Sequence, residues 1–351
     1  MTPGLPQNEQ WTNFQERFGT HPFSHPAWCR AWTARYRPRA VHVLGASSTG
    51  ETPRLLAPFA AHDRAARSWI TLGAPLVDFG TPLGPRDHAG DLPKLLAEHS
   101  GSWSTVRLCG IDPSVAELLT ADVGAGIEFH RLGAEDTPRI PITSYDDWLG
   151  RLRPGRRRAI GTTLRQLERI GSHSFDVVDA PGEIGRAVRE FESLRLQSWW
   201  ARGRDHELLP DIRTQRHSHF LHDAVVTMAA TGDSSVVRLQ LAGRLVASAV
   251  VLWTPATALL ALTATDTRLG PNISAGLAIV AWTVRLVNER DRSVLELGRG
   301  DEPYKFALGA EARVVDHLLA APAGTMAWRW REAARQRWSL ARYRLRTRER
   351  Q

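Results

Sequence analysis

Asp301, Glu302, Tyr304 and Lys305 fall within five positions, directly after an apolar run at 294–297 that breaks at Gly298 and Gly300. An apolar strand, a glycine break and a dense set of ionisable groups are what a rigid element needs to deliver chemistry to a pocket rim. Two carboxylates, a phenol and an ammonium can take up, hold and return protons. The lysine stands out against the rest of the chain. Lys plus Arg number 45, yet Lys94 and Lys305 are the only lysines. An ammonium is a compact charge with a tunable pKa, which a planar guanidinium cannot imitate.

The elements that position this block can be read along the chain. At 351 residues, with 42% hydrophobic and 23% charged residues, the composition is that of a soluble globular protein of two domains or one large one. The formal charge of +8 allows polyanionic partners such as tRNA or a phosphate-rich cofactor. Cys29 and Cys109 are the only cysteines, too few for a disulfide framework or a zinc set, which fits a reducing cytosol. The first residues show no basic-then-apolar leader, and no apolar run reaches the length of a membrane span. The expected location is therefore cytoplasmic.

In the first part, a helix opens near Ser24, its expected cap, followed by strands at 40–44, 54–61, 69–72, 106–109 and 127–132 and a helix at 92–99. A Gly/Pro-rich loop at 78–84 carries one carboxylate, Asp78. An extended prolyl crossing at 137–142 marks a domain boundary. The expected layout is an N-terminal lobe at 1–140, a second lobe at 141–325 and a basic C-terminal helix at 326–351. The second lobe reads as helices at 146–152, 156–170, 183–200 and 216–230. Strands follow at 236–241, 245–253 and 258–265, then a helix at 272–290 capped by Ser274, and closing strands at 293–297 and 313–319.

The helix at 156–170 places Ile160, Leu164 and Leu167 on one side and Arg158, Arg165 and Arg169 on the other. Arg156, Arg157, Arg158 and Arg165 form a one-sided positive surface suited to phosphates, or simply a solvated face. Trp199 and Trp200 end a helix and either line an acceptor pocket or belong to the core. His217, His219 and His222 lack a carboxylate partner set, and no metal site is expected.

The stretches RPGRRRAIGTTLRQLER, LAGRLVASAVVLW, TATDTRLGPNISAGLAIVAW and GRGDEPYKFALGAE resemble the GNAT-superfamily acetyltransferases, in particular the CelD/BcsL-like branch, over about residues 140–320. The two-part layout and the Lys305-Phe306 pair also resemble the Fem aminoacyl-tRNA transferases. The resemblance implies an α/β fold of two tandem GNAT-like lobes, each a mixed, mostly antiparallel sheet flanked by helices. It implies transfer of an acyl group to an amine in the second lobe, with no metal. The donor is acyl-CoA or, as the alternative, an aminoacyl-tRNA. The acceptor is a small-molecule or peptide amine. A third reading is a nucleic-acid-binding module without turnover.

Under the resemblance, Asp301 or Glu302 orients or deprotonates the acceptor amine, and Asp266 is a reserve carboxylate. Tyr304 or Lys305 steadies the oxyanion or the leaving group. Arg268, Ser274, Gly276 and Arg156–Arg158 with Arg165 hold donor phosphates, and Trp199, Trp200, Arg299 and Asp78 meet the acceptor. The chain departs from the usual pyrophosphate turn at Pro271 and Ile273, where glycines are common, and proline has no N–H to offer.

Overall fold

The computed structural model describes residues 9–19, 21–46, 54–61, 63, 65, 67–121, 126–201, 215–266, 268–269 and 273–325. In chain order the first elements are α1 (Glu9–Phe18), α2 (Pro26–Tyr36), β1 (Ala40–Ala46), β2 (Leu55–Ala61), β3 (Ser68–Thr71), α3 (Leu92–Glu98), β4 (Thr105–Ile111), α4 (Pro113–Ala121) and β5 (Ile127–Asp136). Then come β6 (Arg139–Pro141), α5 (Tyr145–Arg151), α6 (Pro154–Ile170), β7 (His173–Val178), α7 (Pro181–Ala201), α8 (Arg216–Ala229), β8 (Ser234–Leu241), β9 (Arg244–Trp253) and β10 (Thr257–Thr265). The last are α9 (Ala275–Glu289), β11 (Val294–Glu296), α10 (Pro303–Ala307) and β12 (Val314–Pro322).

Two six-stranded sheets result, ordered β1-β2-β3-β4-β12-β5 and β6-β11-β10-β9-β8-β7. The chain forms two compact units that interleave in sequence. The first takes the described residues up to 14, 38–135 and those from 314 onward; the second takes 15–37 and 136–313. The strand expected to close the second lobe is thus β12, an interior strand of the first sheet, antiparallel to β4. Its burial explains the placement: from Val315 to Ala321 every residue is buried, as suits a strand with neighbours on both edges. Residues 15–37 likewise belong to the second unit, where Trp28 of α2 meets Phe220 of α8 edge-to-face at 4.8 Å.

In the second unit the core forms where α5, α6 and α9 cover the sheet. Ile160, Leu167, Val284, Val287 and Leu295 are at most 1% exposed there. Each such side chain contributes about 1.5–3 kcal/mol by leaving water. Pro154 at the start of α6 and Gly171 after it, at φ 98, set that helix's limits. Arg157, Arg158, Arg165 and Arg169 lie on its exposed side, opposite Ile160 and Leu167. The cap of α2 is His25, whose Nδ1 accepts from the Ala27 N–H at 3.1 Å, whereas Ser24 donates to Gln15 at 2.8 Å. Helix α4 has no counterpart in the sequence reading. The basic helix expected at 326–351 lies outside the described residues.

Candidate active site

The second sheet opens at one place. β10 pairs with β9 from Ala258 to Thr265, but with β11 only through Thr257↔Val294, Ala258↔Leu295 and Leu259↔Glu296. β11 stops there while β10 runs on, so among the described residues no strand covers the β11-facing edge of β10 beyond Leu259. A bulge between Leu260 and Leu262 falls in this stretch, and Ala261, Leu262, Thr263 and Thr265 are partly or fully exposed. Backbone groups on such an edge can pair with an extended ligand.

The open edge leads to the start of α9. Asp266, 8% exposed, follows β10 directly. Its carboxylate accepts from Arg268 Nε at 2.9 Å, Arg268 Nη2 at 3.0 Å, the Arg268 backbone N–H at 2.9 Å and Arg244 Nη1 at 2.7 Å. The Arg268 hydrogen bond chiefly, helped by both guanidinium charges, holds Asp266 below the usual carboxylate range against the opposing cost of burial. Asp266 is therefore a permanent anion that aims a guanidinium, and an ill-suited proton acceptor. The Arg268 side chain remains 66% exposed, and its Nη1 carries no partner among the described residues. Ser274 caps α9 by accepting from the Leu277 N–H at 3.3 Å. A fixed guanidinium beside a helix N-terminus favours anions. Gly276 sits in the first turn, where an added Cβ would meet only Thr265 at an ordinary 3.4 Å. Pro271 lies outside the described residues.

At the apex of the opening stands Glu296, paired in register with Leu259 and 6% exposed. Arg313 Nη1 donates to its Oε1 at 2.9 Å, while its buried Oε2 has no partner. Burial raises the Glu296 pKa, and the Arg313 and Arg139 charges offset only part of that. The sequence reading passed over Glu296 as a strand residue. Its signal was a single carboxylate inside Val294-Leu295-Glu296-Leu297.

The loop after β11 is held from within. Lys305 is 2% exposed, and its Nζ donates to the carbonyls of Gly298 (3.2 Å), Arg299 (2.6 Å) and Gly300 (3.3 Å) and pairs with Glu302 at 3.0 Å. An ammonium has three N–H donors, so none is left over for a substrate. Lys305 ties the turn and Glu302 ties Lys305; neither is aimed outward. Gly300 has φ 108, and a Cβ there would meet the Glu302 carboxylate at 2.5 Å. Tyr304 is 54% exposed on α10, and desolvation, then the Glu302 charge, push its hydroxyl up to about 12. It keeps its proton at neutral pH. Asp301 is exposed and Arg299 half-buried on the same loop.

The other expected residues are more scattered. Trp199 is half-buried with Arg195 over its ring at 5.2 Å, and Arg195 pairs with buried Glu192 at 2.8 Å. The Trp200 side chain lies outside what is described. Arg156 is half-buried at the start of α6, beside the exposed Arg157 and Arg158. Asp78 belongs to the first unit. Among the described residues no group of His, Cys, Asp and Glu is placed to hold a metal, and no helix is long and apolar enough to cross a membrane.

Residues 154–306 match the acetyltransferase (GNAT) domain family. Comparison with curated proteins gives no match. Among solved structures, FemX is similar at TM-score 0.62 and 10% identity, over 90% of this chain and 96% of that one. The C-terminal domain (DUF2156) of a proposed lysylphosphatidylglycerol synthetase from Agrobacterium fabrum is similar at TM-score 0.60 and 15% identity, over 93% and 94%. L-PGS from Bacillus licheniformis is similar at TM-score 0.58 and 14% identity, over 94% and 96%. At these identities the likeness is one of fold. The matched domain spans β10, α9 and β11, so residues 154–306 resemble a GNAT acetyltransferase domain, within a two-lobed fold like that of FemX.

Proposed function

We propose that the protein moves an acyl group from acyl-CoA to an amine by direct transfer. The observation that carries this reading is the edge of β10 that no described strand covers, together with the capped start of α9 and the Arg268 that Asp266 fixes. A pantetheine arm, with its amides, can lie along the edge as an added strand, and the pyrophosphate can meet Arg268 and the helix N-terminus. The thioester then falls at the apex, beside Glu296. The amine nitrogen attacks the thioester carbonyl, the C–S bond breaks, Glu296 takes the amine proton and Tyr304 returns one to the thiolate. Asp301 and Arg299 face the acceptor at the loop. Calorimetric titration with CoA and acetyl-CoA tests this. Saturable micromolar binding that Arg268→Ala weakens supports the reading, and an absence of heat at millimolar ligand sinks it.

A second reading takes aminoacyl-tRNA as the donor. Fold likeness to FemX over nearly the whole chain and the exposed arginines of α6 favour it. Phosphate contacts make binding fall steeply with salt. Charged tRNA that binds with such a slope and loses its aminoacyl group to an amine would select this donor over CoA.

A further inference from the structure

The face of β11 that carries Glu296 is shared with the strands beside it. Glu296 lies opposite Arg139 in the antiparallel β11–β6 ladder, and the Leu297 N–H donates to the Pro138 carbonyl at 3.0 Å. That bond makes 296 and 139 a non-hydrogen-bonded pair, the kind that brings side chains closest. On the other edge of β6, the Arg139 N–H donates to the Glu311 carbonyl at 3.1 Å and the Thr137 N–H to the Arg313 carbonyl at 2.8 Å. Residues opposite each other across a ladder share a face, as do residues two apart in a strand. Thr137, Arg139, Glu311 and Arg313 therefore stand on the face of Glu296. The Arg313 guanidinium bears this out by reaching Glu296 Oε1 at 2.9 Å.

Two oxygens on this face are buried and idle. Thr137 is 0% exposed and its Oγ1 has no hydrogen-bond partner among the described residues, and the same holds for Glu296 Oε2. An unpaired buried hydroxyl or carboxylate oxygen is costly, and native folds avoid it. Here the two stand at diagonal positions of one ladder. Such positions lie about 7–8 Å apart along the backbone, and the Glu and Thr side chains narrow that to about the width of one water. The charged groups facing Glu296 are Arg313, Arg139 and, paired with Arg139, Glu311; its neighbour on β10, Leu259, is apolar. Arg313 serves Oε1, and Thr137 is the hydroxyl in place to serve Oε2.

We propose that Thr137 is a positioning residue for the base of the transfer: its hydroxyl holds Glu296 Oε2 through one bound water. The inference rests on Glu296 acting as that base. A threonine hydroxyl has one proton to give, and a carboxylate oxygen has two lone pairs. The water accepts from Thr137 and donates to one lone pair of Oε2, which leaves the other for the amine proton. When the proton moves, the amine N–H bond breaks and an O–H bond forms at Oε2; the water and Thr137 keep their own protons. Arg313 fixes one carboxylate oxygen and Thr137 the other, so the plane of the group is set before the acceptor arrives.

The test follows Glu296 by NMR in the full chain with isotope-labelled glutamate carboxyls, the signal being assigned by its loss in Glu296→Gln. Thr137→Val removes the hydroxyl and keeps the branched shape. It should raise the Glu296 titration midpoint by about one pH unit, the effect of losing a hydrogen bond to a charged group. Thr137→Ser keeps the donor and should hold the midpoint near its unmodified value. Urea unfolding above that midpoint gives a second reading. The Val variant should be less stable than the unmodified protein, whereas discarding an idle buried hydroxyl would make it more stable. A midpoint that Val leaves in place, or a Val variant of raised stability, overturns the proposal. Thr137→Ala serves the same comparison if the Val variant does not fold. In transfer from acetyl-CoA to ethanolamine, the acid limb of the pH–rate profile should move with the NMR midpoint. If the unmodified protein binds no CoA, the acyl-CoA reading falls and the NMR midpoint still decides the role of Thr137.

Discussion

Each sheet contains a short parallel pair followed by a helix, and the two pairs have had different fates. In the first unit β3 pairs with β4 through Ser68↔Thr105, Trp69↔Val106 and Ile70↔Arg107; in the second, β10 pairs with β11 over an equally short run. Both pairs part at their far ends. In the first unit the chain between β3 and α3 folds back into the gap. Gly80 donates to the Gly110 carbonyl at 2.9 Å, and Thr81 accepts from the Asp112 N–H at 2.9 Å. An added Cβ at Gly80 would sit 2.4 Å from the Cys109 carbonyl, so the loop lies directly on β4. In the second unit no described residue pairs with the β10 edge beyond Leu259, and the strand is followed by the Asp266–Arg268 clamp. A parallel pair parts in both units, and in the first the loop after the strand fills the gap.

The sharpest break of this comparison lies at the apex. Glu296→Gln is expected to lower kcat by roughly 10²–10⁴-fold, the range of a lost general base. Because burial raises the Glu296 pKa above its ordinary 4.5, activity should fall as pH drops through that raised value and the base protonates. A pH–rate profile of the Gln variant should lack this acid limb, and an unchanged profile would remove Glu296 from the reaction. Next, Lys305→Met leaves three carbonyls and Glu302 without their cation. Glu302 is 40% exposed and can be solvated, so the cost is that of buried carbonyls left without a donor, about 1–3 kcal/mol, readable in urea unfolding. If Lys305→Arg instead restored full stability and activity, the fit of a compact ammonium to Gly298–Gly300 would be wrong.

A smaller effect is expected at the phosphate end. Arg268→Ala should weaken CoA binding by about 10–100-fold, the worth of one or two charged hydrogen bonds. Asp266→Asn should weaken it less, by releasing the guanidinium without removing it. The mildest change sharpens the contrast between the units. Gly80→Ala crowds the plugged gap and should cost about 1–2 kcal/mol in unfolding free energy while leaving the CoA Kd unchanged. A shifted Kd would show that the first unit takes part in donor binding.

Much of this was legible in the sequence because it is local. The block from Gly298 to Lys305 announced itself by glycines and charges, Asp266 and Arg268 lie two residues apart, and Ser274 caps the helix it was expected to cap. Lys305 was found but its work was not. Its acceptors are backbone carbonyls, and every residue carries one. Glu296 was hidden by its apolar neighbours, since a strand pattern says which face a residue takes but not that the face is an apex. Residues brought together from afar left no local trace. Gly110 meets His317 through a bulge, and Glu135 reaches the ring from a third strand. The same distance hid β12, which reads as a neighbour of β11 and lies between β4 and β5.

That last placement bears on how the chain is born. β12 is an interior strand, and its two neighbours are made before the larger part of the second unit, which ends at Arg313. On a ribosome moving at about 5–20 residues per second, the intervening segment takes roughly 10–40 s to emerge. During that interval β4 and β5 expose unpaired edges, the kind of surface on which nascent chains associate wrongly. The unit begun first is therefore finished last, and a chain stopped after Arg313 would carry the residues of the candidate active site while its first sheet lacked an interior strand.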